Sequence, residues 1–181
     1  MKHAKLLLFT GIILVCSSFA ASKWLTIANK EGRFTAQFPG KPDESKKQSN
    51  TPAGPITINL FTYNADLSKD GNRLYLLMYS DYPEKVINSN KKKNVVDTFF
   101  KNAIDGAINN IHGKILSVEK SPVGKYPGRF VKASFGEGKA VMDVHFYLVD
   151  NRFYMLEVGY QKGQLNPISE KRFFSSFKLL N

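Results

Sequence analysis

The chain has 181 residues, with 26 lysines and arginines against 15 acidic residues and a single cysteine. Its net charge of +11 points towards anionic partners. It contains no Gly-x-Ser-x-Gly elbow, P-loop, dinucleotide fingerprint or zinc-binding spacing, which removes the enzyme and cofactor classes those motifs mark, so no cofactor and no metal are expected.

Met1-Lys2-His3-Ala4-Lys5, the apolar run 6–15 and the small residues around Ala20 describe a secretory signal peptide cleaved after Ala20. The run is shorter than the ~20 apolar residues of a membrane-spanning helix. Cys16 offers an alternative, lipoprotein processing, although Val15 stands where a Gly or Ala usually precedes an acylated cysteine. Cleavage leaves residues 21–181 as one domain without a cysteine. Such a domain holds together by packing alone in an oxidising compartment, periplasmic or secreted. It keeps 24 basic and 15 acidic residues, a net charge of +9. For an exported chain, that charge implies an envelope protein or an anionic lipid or glycan as partner, with peripheral membrane contact. Nucleic acid is not expected there.

Beyond the signal, residues 24–28 read as a short strand ended by the turn 29–32. Phe34, Ala36 and Phe38 alternate with polar neighbours, the period of a half-buried strand. Pro39-Gly40-Lys41-Pro42 stops it, and the polar segment 43–50 reads as a loop. A turn over 51–55 leads into a strand over 56–63, with Ile56, Ile58, Leu60 and Thr62 on one face, and a further strand covers 73–79. The period then changes. Val96, Phe99, Phe100, Ala103, Ile104, Ala107, Ile108 and Ile111 recur at steps of three and four, an amphipathic helix with Asn94 as its cap and His112-Gly113 as its stop.

Strands over 114–119 and 129–135 flank the turn 122–128. Residues 139–149 and 152–161 then form a hairpin about Asp150-Asn151, residues that tolerate the positive φ of a two-residue turn. That turn pairs Leu148 with Phe153, Phe146 with Met155, Tyr147 with Tyr154 and His145 with Leu156. Both faces of the ribbon are apolar, so each must be covered. Asn166-Pro167 opens a second helix, a capping side chain before Pro at the first helical position. Phe173, Phe174 and Phe177 pack inward from it.

Trp24 opening a short strand, Gly32-Arg33-Phe34 leading to Phe38-Pro39-Gly40-Lys41-Pro42, the Gly54-Pro55 turn and the ending Phe173-Phe174-Ser175-Ser176-Phe177-Lys178 together resemble PsbP-like domains, including the bacterial DcrB type. The resemblance spans nearly the whole mature chain. It implies an α+β fold, an antiparallel sheet flanked by helices as an α-β-α sandwich. It also implies accessory, assembly or binding roles, with no catalytic set to carry over.

Two basic groups are the candidate binding residues. Lys91, Lys92 and Lys93 precede the first helix, while Lys120, Lys125, Arg129 and Lys132 surround the turn 122–128. They read either as a footprint for an anionic surface or as a solvated face that keeps the protein soluble. His145 is the other candidate. Asp143 shares its strand face and Glu157 points to the opposite one, so a hydrolase centred on His145 needs a distant nucleophile; Ser134 is near in sequence, but nothing singles it out. The only other mature histidine, His112, sits at a helix end. The plainer reading makes Asp143 and His145 a polar pair near a sheet edge or under a loop. No catalytic residue is assigned.

Overall fold

The computed structural model describes residues 24–51, 54–66 and 70–180. The expected signal peptide, its cleavage after Ala20 and the fate of Cys16 lie outside these residues. Within them the strands are β1 (Leu25–Asn29), β2 (Phe34–Phe38), β3 (Asp43–Thr51), β4 (Gly54–Asn64), β5 (Asn72–Asp81), β6 (Lys114–Lys120), β7 (Gly128–Phe135), β8 (Ala140–Val149), β9 (Arg152–Gln161) and β10 (Lys178–Leu179). Helix α1 (Lys93–Asn110) stands between β5 and β6, and α2 (Pro167–Ser176) between β9 and β10. The fold is α+β and mostly antiparallel.

The β8–β9 hairpin lies at the middle of a seven-stranded antiparallel sheet ordered β3-β4-β5-β9-β8-β7-β6. Asp150 takes a φ of 52° at its turn, and the register pairs Leu148 with Phe153, Tyr147 with Tyr154 and His145 with Leu156, as expected. Side chains of a strand alternate between faces. Met142, Val144, Phe146, Leu148 and Phe153 therefore share one core with Val96, Phe100, Ile104 and Ile108 of α1. Tyr147, Val149, Tyr154, Leu156 and Val158 face the other way, into a core with Phe34, Ala36, Phe38, Phe173 and Phe177. That second layer is α2 together with a small sheet ordered β1-β2-β10.

The ends of both helices follow from local chemistry. At the end of α1, His112 takes a left-handed φ of 50°, its N–H reaches the Asn109 carbonyl, and the Gly113 N–H reaches Ile108 at 2.9 Å. This is the paired hydrogen-bond pattern that closes many helices, so His112-Gly113 does stop the helix. Its start differs from expectation. Asn94 lies inside the first turn, Lys92 holds the cap position, and no side chain caps the backbone. Lys92 is preferred because its carbonyl already accepts from the N–H groups of Val95 and Val96. For α2, Asn166 accepts from the Ser169 N–H at 3.1 Å. Asn166 is itself held by Asn72 through hydrogen bonds of 3.0 and 3.1 Å, and Asn72 donates on to Tyr75. Phe173 then sits between Phe38 and Tyr75, with ring centroids 5.1 and 5.3 Å away.

One segment read as a loop is a strand. Residues 43–51 form β3, paired along its whole length with β4 from Asp43↔Thr62 to Thr51↔Gly54. It is an edge strand whose side chains are mostly exposed, so no apolar alternation marks it. Its backbone ladder alone makes it a strand, and a charged, polar edge discourages pairing with another chain.

A basic cleft as the candidate functional site

The two basic groups, some thirty residues apart in sequence, meet in space. The segment before α1 brings Lys91, the first turn of α1 brings Lys93, and the β6–β7 connection brings Lys120, Lys125 and Arg129 to a cleft of about 390 Å³. The connection folds tightly: Val123 and Tyr126 exchange both backbone hydrogen bonds, at 3.1 and 3.0 Å. Gly128 returns the chain to β7 where a Cβ would lie 2.2 Å from the Ser121 carbonyl oxygen and 2.6 Å from the Tyr147 ring. Only glycine fits so close a backbone approach. Val96, Pro122, Tyr126 and Pro127 supply the apolar part of the wall.

Asp97 is the carboxylate of the lining, set against five cations. It accepts from Lys93 Nζ at 2.6 Å and from the Arg129 guanidinium. The Lys93 hydrogen bond, with Arg129 beside it, holds the Asp97 carboxyl below the usual carboxylate range. Arg129 also donates to the Gly128 carbonyl at 2.8 Å and lies over the Phe100 ring at 4.8 Å. Its guanidinium is thereby locked into the wall. Lys91 is directed by a 2.7 Å hydrogen bond to the Lys85 carbonyl, and Lys125 sits 5.3 Å from the centre of the Tyr126 ring. The buried Ser89 hydroxyl, also on the wall, has no hydrogen-bond partner among the described residues.

Two of the expected binding residues lie elsewhere. Lys92 is exposed at the start of α1, outside the cleft lining. Lys132 is on the opposite side of the sheet, because residues three apart on a strand face opposite ways. Its Nζ reaches Asp143 at 3.1 Å and the Tyr160 hydroxyl at 3.2 Å. The strand period over 129–135 already carried that signal. Ser89, Asp97 and Tyr126 were not singled out in the sequence, since nothing local distinguishes them.

Asp143 and His145 sit in mid-sheet beneath α2, not at an edge. Asp143 accepts from Lys132 and from Tyr160, the latter at 3.2 Å, rather than pairing with His145. Glu170 of α2 lies against Asp143; burial and that neighbour push its carboxyl up to about 7. Two neighbouring carboxylates repel, so this approach of helix to sheet weakens as Glu170 loses its proton. His145 Nδ1 lies 3.1 Å from Ser121 Oγ, not beside Ser134. The rings of Phe174, Phe130 and Tyr147 surround the imidazole at 4.6, 4.9 and 5.7 Å. Burial pushes its pKa down to about 4, so it is neutral at pH 7. Among the described residues, no group of three or more His, Cys, Asp or Glu side chains could hold a metal ion, and no helix is long and apolar enough to cross a membrane.

No protein-family model matches the sequence, and comparison with curated proteins finds no match. Solved structures do match. The solution structure of cyanobacterial PsbP (CyanoP) from Synechocystis sp. PCC 6803 aligns with a TM-score of 0.56 at 9% identity, covering 93% of this chain and 99% of that one. A crystal structure of a protein from Bacteroides thetaiotaomicron VPI-5482 aligns with a TM-score of 0.50 at 13% identity, over 86% of this chain and 48% of the other. At these identities the likeness concerns architecture, and the chain has the PsbP-like fold.

Proposed function

We propose that the protein is an exported, non-catalytic accessory or binding protein of the bacterial cell envelope. It recognises a protein or an anionic envelope component, with the basic cleft as the contact. The observation that carries this reading is the meeting of Lys91 and Lys93 with Lys120, Lys125 and Arg129 in one cavity. A merely solvated surface gains nothing from gathering like charges, which repel. Convergence on a walled cleft is what an anionic ligand requires. The test is co-sedimentation with anionic vesicles across a salt series. Binding that weakens with salt, and is lost when Lys93, Lys120 and Lys125 are replaced by Ser, supports the reading. Binding indifferent to both salt and these replacements refutes it.

The 3.1 Å contact between Ser121 Oγ and His145 Nδ1 favours a second reading, an envelope hydrolase. Labelling of Ser121 by a fluorophosphonate probe would support that role. A protein that takes up no label would remove it.

A further inference from the structure

We infer that the basic cleft is a site for a phosphomonoester, taking the phosphate together with the sugar-sized ring that bears it; this narrows, and rests on, the anionic-partner reading above. The first reason is which cations remain available. The two-pronged fork of an arginine grips carboxylate and phosphate alike. In this cleft the Arg129 fork is already used within the wall, on the Gly128 carbonyl and on Asp97. Lys120 and Lys125 pair with no carboxylate among the described residues and project from the β6–β7 connection beside the cavity. Lysine ammoniums act as point charges, whose attraction grows with the charge of the ligand, and so favour a dianionic phosphate over a singly charged carboxylate.

The second reason is the supply of uncharged donors. The Ser89 hydroxyl on the wall has no hydrogen-bond partner among the described residues, and a turn about its χ1 brings it from its buried position to a ligand in the cavity. Beside it, α1 begins with no side-chain cap and no acidic residue in its first turn. The Lys92 carbonyl takes the N–H groups of Val95 and Val96, which leaves those of Lys93 and Asn94 for a group from outside the helix, and these add to the cations rather than standing in for them.

The third reason is size. A cavity of about 390 Å³ is more than a bare phosphate fills and lies near the lower end of small-molecule sites, ~300–1,000 Å³. Val96, Pro122, Tyr126 and Pro127 offer a ring an apolar wall. The cleft thus takes a single phosphorylated ring. The ring phosphate has two possible sources, a free sugar phosphate or a phosphorylated headgroup presented by a membrane.

The experiment is calorimetric titration of the full-length protein at low salt with glucose 6-phosphate, glucose 6-sulfate, glucuronate and inorganic phosphate. Parallel binding is measured to vesicles containing phosphatidic acid or, at matched surface charge, phosphatidylglycerol. A phosphomonoester gains its second negative charge near pH ~6. Glucose 6-phosphate is therefore expected to bind roughly tenfold tighter than the singly charged sulfate or glucuronate at neutral pH, and to lose that margin near pH ~5. The double variant Lys120→Ser, Lys125→Ser, with unchanged circular dichroism, is expected to lose roughly tenfold or more.

Tight glucose 6-phosphate with no preference for phosphatidic acid assigns the site to a free sugar phosphate. Preference for phosphatidic acid over phosphatidylglycerol with weak glucose 6-phosphate assigns the phosphate to a headgroup and overturns the place for the ring, which phosphatidic acid lacks; both outcomes support the phosphomonoester. Equal affinity for phosphate, sulfate and carboxylate ligands, unchanged with pH, overturns the phosphomonoester assignment while leaving the anionic-partner reading standing. Inorganic phosphate binding as well as glucose 6-phosphate overturns the place for the ring. No binding by any probe, or binding untouched in the double variant, overturns both readings together.

Discussion

Glu157 is a carboxyl group placed where a carboxylate is poorly tolerated, and the consequence is measurable. It stands on β9 between Leu76 of β5 and Val144 of β8, on the sheet face that α1 partly covers, and is only 8% exposed. Burial alone pushes its pKa from 4.5 up to about 7. A folded-state value above the unfolded one means that the folded chain holds its proton more tightly. Below about pH 4.5 both states are protonated and the group costs nothing. As pH rises towards 7 the folded state loses stability, and above 7 the loss is complete. Two and a half units at 1.36 kcal/mol each amount to roughly 3 kcal/mol. Glu157→Gln removes the titration and keeps the shape. The variant should therefore match the parent within about 1 kcal/mol at pH ~4.5 and exceed it by about 2–3 kcal/mol at pH ~8. Urea unfolding followed by circular dichroism at the two pH values measures both differences. Glu170 titrates in the same window, but it does so in parent and variant alike and cancels in the comparison. An advantage of the variant that is equal at both pH values would refute the reasoning, because the carboxylate would then be hydrated in the folded state.

Three further outcomes follow from the same geometry. Phe173 is fully buried between Phe38 and Tyr75, so Phe173→Ala should cost about 3–5 kcal/mol, seen as a fall in the unfolding midpoint; a loss below ~1 kcal/mol would mean α2 is loosely held. Arg152, 8% exposed at the side chain, gives two hydrogen bonds of 2.6 Å to Asp81 and a third to the Glu31 carbonyl. Asp81 is about half exposed and rehydrates when freed, so Arg152→Met should cost about 1.5–3 kcal/mol in denaturant titrations, near a charged hydrogen bond and below a fully buried pair. Asp97→Asn removes the carboxylate from the cleft lining and should strengthen sedimentation with anionic vesicles about fivefold; unchanged affinity would place the contact elsewhere.

The central hairpin, both helices and the division of the ribbon into two apolar faces were legible before any coordinates. Each has a local cause. Asp150-Asn151 admits the turn, a period of two marks the strands, a period near 3.6 marks the α1 stripe, and Asn166-Pro167 starts α2. Where the local signal was weak, the reading failed. Asn94 competed with a capless Lys92, and β3 offered only polar residues. The candidate site was legible as a list of basic residues but not as a place. Lys132 was grouped with Arg129 although their strand puts them on opposite faces, and Ser121 was not seen as the neighbour of His145.

By itself, the amino-acid order determined backbone shapes and the excess of positive charge, since φ preferences, side-chain period and ionisation are properties of short stretches. Which distant stretches touch was decided only in three dimensions. The partners of β3, the burial of Glu157 and the meeting of the α1 start with the β6–β7 connection all depend on the order in which strands lie side by side. That order is set by the combined packing of two cores, and no window of neighbouring residues contains it.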